Sequence, residues 1–157
     1  MENNIKALPN NIADRTAVTG TQDGDKRGLD VFTLNPPNPV QAANLEIRNA
    51  GEPISALKLV YSFDANTVML ASSVGTINEA RAFGVAITAA NTNESMQIQT
   101  FGVLRDSSFT FPANDLLFVA ANGSITNVAP ITGYRTVIGT SQGIGSIFIN
   151  IQETITL

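Results

Sequence analysis

The chain contains no cysteine, no histidine and no tryptophan. Lack of cysteine removes disulfides and thiolate nucleophiles, and lack of both Cys and His removes the usual nitrogen- and sulfur-ligated zinc site. The Ser-His-Asp triad and haem ligation by His or Cys fall with them. Charge is scarce too. Only 14% of residues are Asp, Glu, Lys or Arg, against roughly 25% in an average soluble domain. Nine basic and thirteen acidic side chains leave a net charge of −4. No local basic patch offsets it, so a polyanion is repelled and no nucleic-acid partner is expected. No run of 18 apolar residues is present, so no helix is expected to span a membrane. Met1 to Pro9 is Asn-rich and lacks the apolar stretch of a secretory signal.

The chain has 157 residues, of which 43% are apolar. That is one domain's worth of sequence with enough apolar mass for a core, and too much for wholesale disorder. Charge is unevenly placed. Residues 1–30 hold nine of the 22 charged side chains, while only Arg135 and Glu153 follow Leu116. Between the two regimes lies Asn35-Pro36-Pro37-Asn38-Pro39, which favours stiff, extended backbone. The reading is an extended N-terminal arm and Pro-rich linker over 1–40, then a weakly charged body over 41–157.

The body reads as short strands separated by turn residues at intervals of roughly 8–12 residues, the pattern of an all-β barrel or sandwich. Strands are expected at Leu45–Arg48, Leu57–Phe63, Thr67–Ala71, Gly84–Thr88, Ser108–Phe111 and Arg135–Ile138, with one at Val31–Leu34 in the arm. Met96, Ile98 and Thr100 alternate with Gln97 and Gln99, and Phe101-Gly102-Val103 flips the phase, which places a bulge near Gly102. Asn122-Gly123 between two apolar runs signals a hairpin. Thr76–Phe83 allows a helical turn or two. The closing segment, Ser146–Leu157, puts Ile147, Ile149, Ile151 and Ile155 on one face and Thr154 on the other, so it is read as a single strand with a buried and a wet side.

Candidate chemistry is thin. Asp23-Gly24-Asp25 begins like a calcium loop, but the next ligand position is Arg27 and the twelfth is Leu34, so a solvated turn or contact loop over Asp23–Asp30 is the better reading. Gly143-Ile144-Gly145 and Gly20-Thr21 open no helix and carry no phosphate-binding lysine. The body's acids, Glu46, Glu52, Asp64, Glu79, Glu94, Asp106, Asp115 and Glu153, show no spacing that pairs two of them for glycoside hydrolysis. Glu153 falls on the otherwise apolar face of the last strand, where the favoured reading is that it emerges into water or meets Arg135 and the alternative is an inter-subunit polar contact. Phe101, Phe109, Phe111, Phe118 and Phe148 sit in apolar strand patterns and are assigned to the core. Asn93-Glu94-Ser95 and Asn122-Gly123-Ser124 match the glycosylation sequon by chance. No catalytic, cofactor-binding or metal-binding residue is assigned.

Several words of the sequence nevertheless resemble a small β-domain of tailed-bacteriophage virion proteins. They are Phe83-Gly84-Val85-Ala86-Ile87-Thr88, Val103, Asn114-Asp115-Leu116-Leu117-Phe118-Val119, the Asn122-Gly123 hairpin, Pro130-Ile131-Thr132-Gly133-Tyr134 and Val137-Ile138-Gly139-Thr140-Ser141. In such domains a G-V-A strand precedes one ending in G-V, followed by a D-L-L hairpin, a Pro/Gly loop, a V-G-T strand and an Ile-rich closing strand. Upstream, Gly24 to Val31 is similar to the N-terminal segment of phage fibre and decoration proteins. The resemblance implies a structural virion part of the capsid-decoration, head-fibre or tail-adaptor type. It implies no enzyme activity and no cofactor, a homotrimer, and attachment of the arm to the major capsid protein or another virion protein after assembly in the host bacterial cytoplasm. A neck- or tail-attached adaptor and a receptor- or glycan-binding module are the alternatives.

Overall fold

Alternation of apolar and polar residues builds the body from paired strands, and a change in that alternation splits it into two cores. The structure is a computed structural model describing residues 44–157. The arm, the linker, Asp23–Asp30 and the strand expected at Val31–Leu34 lie outside the described residues. In chain order the elements are β1 (Asn44–Ala50), β2 (Leu59–Ser62), β3 (Thr67–Leu70), α1 (Ile77–Ala80), β4 (Ala82–Ala86), β5 (Ser95–Arg105), β6 (Leu116–Val119), a 3-10 turn (Ala121–Gly123), β7 (Ile125–Thr126), β8 (Tyr134–Arg135), β9 (Val137–Gly143), β10 (Ser146–Asn150) and β11 (Ile155–Thr156).

The main sheet runs β1-β3-β2-β4-β5-β10-β9-β6-β7, and β1 also pairs with β5. That extra ladder closes β1, β3, β2, β4 and β5 into a five-stranded barrel, which removes their free edges. Pairing is antiparallel throughout except for β1 with β3, where Ala50 lies beside Val68. The fold is therefore all-β, as expected, with a barrel whose sheet continues outward through β10, β9, β6 and β7.

β5 joins the two halves. Its first residues pair with β1 (Arg48 opposite Met96) and β4 (Ala86 opposite Ile98), and its last with β10 (Ile147 opposite Leu104). Met96 and Ile98 point into the barrel with Val60, Val68 and Ala86. Leu104 instead joins a second core of Leu59, Val85, Leu117, Ile138, Ile147 and Ile149. The switch of face needs one extra residue. The register against β1 jumps from Phe101 to Gln99, leaving Thr100 unpaired there, and Gly102 adopts φ +101°. Gln99, only 4% exposed, holds the bulge closed by donating its side-chain amide to the carbonyls of Phe101 and Val103 at 3.2 and 3.0 Å. The same two-sided logic governs β2, whose Val60 fills the barrel while Leu59 and Tyr61 fill the second core.

The helical turn expected in Thr76–Phe83 is α1, fixed by a capping box in which Glu79 N–H donates to the Thr76 hydroxyl and Thr76 N–H donates to the Glu79 carboxylate. The Asn122-Gly123 hairpin is also present, joining β6 to β7 with Val119 opposite Ile125. Asn122 and Gly123 both take positive φ, and a Cβ on Gly123 would lie 2.8 Å from the Leu59 carbonyl oxygen.

Four local expectations are corrected. Ser108–Phe111 forms no strand, because Asp106 accepts the Ser108 N–H and folds that stretch into a turn. Gly84–Thr88 begins two residues earlier and ends at Ala86. Arg135–Ile138 is broken at Thr136, whose buried hydroxyl donates to the Ala80 carbonyl at 2.7 Å. The closing segment is two strands and not one. β10 stays in the main sheet, whereas β11 pairs with β8 in a separate two-stranded ladder, Arg135 opposite Ile155. The inward face thus ends with half-buried Ile151, Ile155 is 49% exposed, and Thr154 lies partly buried with its hydroxyl 2.7 Å from that of Thr136.

Candidate functional site

Five of the body's acids, Asp64, Glu79, Glu94, Asp106 and Asp115, fasten turns and loops. Asp64 accepts the N–H groups of Asn66 and Thr67, both at 2.8 Å, and Asp106 accepts that of Ser108 at 2.9 Å. These bonds stabilise the charged form and hold both carboxyls below the usual aspartate range. Glu94 accepts from Asn91, Asp115 accepts the Asn127 amide at 2.7 Å, and Glu79 closes the capping box. Among the described residues no group of three acids gathers in metal-binding geometry. Glu153 is exposed in the link between β10 and β11, matching the reading that it emerges into water. Arg135 does not pair with it. Its guanidinium donates to the Pro130 carbonyl at 3.2 Å, and its buried Nε has no partner among the described residues.

Gly143 and Gly145 both take positive φ at the hairpin between β9 and β10, with Ile144 80% exposed at its tip. This is a turn with no helix behind it. Asn93 and Asn122, the two sequon asparagines, are turn residues in the left-handed region.

The surface that stands out is the outer face of β5, β10, β9 and β6. Ile147 and Ile149 face the second core, so Phe148 between them must face outward. Opposite it in register lie Thr140 on β9 and Val103 on β5, and Thr140 in turn opposes Leu116 on β6. The bulge turns Phe101 to the same side, where its ring meets Phe148 edge-to-face at 5.4 Å. Phe101 is 38% exposed and Leu116 51%. Between the strands runs a groove of about 180 Å³ lined by Leu116, Val137, Thr140, Phe148 and their neighbours, with no ionisable side chain among them. Gly139 opens its floor: at φ +146° the strand approaches so closely that a Cβ would sit 1.9 Å from the Phe148 carbonyl oxygen.

Of the five phenylalanines assigned to the core, Phe109 and Phe118 are buried at 5% and 6% exposure. Phe101 corrects the assignment, because the bulge reverses its face, and Phe148 and Phe111 are half-buried. The phase flip at Phe101-Gly102 was the sequence signal for this exposure.

No model of a known protein family matches the chain, and no curated protein matches it. Among solved structures it is similar to the head fiber gp8.5 N base in bacteriophage phi29. The two share 13% identity and a TM-score of 0.40, over 74% of this chain and 99% of the other. Among the described residues no helix is long and apolar enough to cross a membrane.

Proposed function

We propose that this chain is a structural component of a tailed-phage virion, of the capsid-decoration or head-fibre type, attached through its N-terminal arm and assembled as a homotrimer. The observation that carries the proposal is the order in which the resembling words become strands. Gly84-Val85-Ala86 closes β4, Gly102-Val103 lies in the second half of β5, and Asp115 precedes β6. Pro130 to Gly133 form the loop before β8, Val137 to Gly143 form β9, and the Ile-rich β10 follows. The words that carry the resemblance thus fall on strands and connecting loops of the body.

The outer face of β5, β10, β9 and β6 supports self-association. Its exposed Leu116 and Phe101, its half-buried Phe148 and the uncharged groove between them have the character of an interface centre, where apolar and aromatic residues replace charged ones. The arm supports attachment, since a charge-dense segment of low apolar content orders most readily on a partner. The test is a chain lacking residues 1–28. It is expected to fold and to be missing from purified particles assembled in its presence. Normal incorporation of the truncated chain refutes attachment through the arm.

A further inference from the structure

A second surface, at the barrel end remote in sequence from the closing strands, carries a different chemistry. β2 ends in Tyr61-Ser62-Phe63 and β4 begins at Ala82-Phe83, and these segments with Thr76, Asn78 and Arg81 line a cleft of about 520 Å³. That volume falls in the range of small-molecule sites, about 300–1,000 Å³. Three of the chain's ten aromatic rings meet there. Tyr61 forms the deep side at 9% exposure, while Phe63 stands at the rim with 61% of its surface open to solvent. A phenylalanine so exposed adds nothing to either core, and neither core cluster includes it.

The polar groups of the cleft are presented on a stiffened frame. The capping box fixes Thr76 and Glu79, and the Arg48 guanidinium packs 4.3 Å above the Phe83 ring. Asn78 and Arg81 are exposed, and their side chains make one long mutual contact of 3.4 Å, leaving most of their donors open. Arg48 is paired with Glu46 at 3.0 Å, and Glu79 sits two residues from Arg81. The Tyr61 phenol is held above its ordinary value, first by burial and then by the Glu79 and Glu52 carboxylates, so the field is not that of an anion site.

We propose that this cleft binds an uncharged saccharide, with the sugar's apolar face against the exposed Phe63 ring and its hydroxyls bonded to Asn78 and Arg81. Hydroxyl groups donate and accept alike, which suits a cleft whose lining mixes the Ser62 and Thr76 hydroxyls and the Asn78 amide with the Arg81 donors. The Phe63 ring, open at the rim, supplies the apolar contact that such a ligand needs on its C–H side. The proposal is independent of self-association through the β6 face, since the described lining of the cleft lies within residues 61–83 and includes no residue of that face.

The experiment is a titration of the full chain, labelled for amide NMR, with glucose, galactose and N-acetylglucosamine and their β-1,4-linked trimers. Amides of Ser62, Phe63, Asn78, Arg81 and Phe83 are expected to shift saturably for at least one sugar, with a dissociation constant on the order of 1 mM or tighter. Phe63→Ala is expected to weaken that binding about tenfold with unchanged thermal unfolding, because the ring it removes is exposed. Leu116→Ala, on the other surface, is expected to leave it unchanged. No saturable shift with any of these sugars up to about 50 mM overturns the proposal. So does undiminished binding by Phe63→Ala, or binding of glucuronate alone.

Discussion

Ile149 is the position at which the two-core arrangement makes its sharpest energetic statement. Its side chain is fully buried in the second core, and its neighbours across both ladders are glycines, Gly139 on β9 and Gly102 on β5. Ile149→Ala removes three buried carbons, about 2.5 kcal/mol of transfer free energy at ~0.8 kcal/mol each. The two glycines have no side chain to swing into the space, so the cavity persists and adds its own term. The total is expected near 4 kcal/mol, in the upper half of the ~2–5 kcal/mol range for such truncations. Ile155→Ala removes the same atoms from a side chain 49% exposed in the β8–β11 ladder, and about 1 kcal/mol is expected. Urea denaturation of the chain and both variants, with an unchanged denaturant slope as the check on two-state behaviour, measures the difference. Equal losses at the two positions would show that the closing segment is one buried strand after all, and would refute the break after Asn150.

Thr154→Ala is expected to lose about 1 kcal/mol in the same assay, since its hydroxyl shares a 2.7 Å bond with buried Thr136, and a loss indistinguishable from zero would place it in solvent. Gly139→Ala is expected to lose about 3 kcal/mol or more or to fail to fold, because both φ +146° and the Phe148 carbonyl oppose a Cβ; a melting temperature within a degree or two of the parent would contradict the close approach of β9 and β10. Asp64 and Asp106 have folded-state values below their unfolded ones, so their contribution is present above the ordinary carboxyl range and is lost as pH falls through the depressed values. Acid-limb stability curves of an Asp64→Asn, Asp106→Asn double variant should therefore be flatter than the parent's below the ordinary carboxyl range, and a parallel curve would remove these turns as acid-sensitive points. Light scattering is expected to return a trimer for the full chain and a smaller species for Leu116→Glu with Phe101→Ser, whereas a parental monomer at micromolar concentration would count against self-association through the β6 face.

The sequence by itself determined the class of fold and most of its strands. Alternation marked the first half of β5 and β10, since a half-buried strand leaves a period of two wherever only one core claims it, and short apolar runs between turn residues marked β1, β2 and β3. Asn122-Gly123 marked its hairpin because the left-handed backbone there admits few other residues, and Thr76–Phe83 was legible as room for a helical turn. These signals are local, so they are legible without a partner. Tertiary structure decided what depends on distant segments. The ladder between β1 and β5 that closes the barrel joins residues some fifty positions apart, and no property of either strand alone specifies it. The same ladder decides that Met96 and Leu104, on one strand, serve different cores and that Phe101 faces outward. The break in the closing segment is of this kind too. Ile155 has the same alternating pattern as Ile149, but the hydroxyls of Thr136 and Thr154 converging on the Ala80 carbonyl draw the chain away from the main sheet. The aromatic cleft was least visible of all, because Phe63 and Phe83 lie twenty residues apart and only the pairing of β2 with β4 brings them to one end of the barrel.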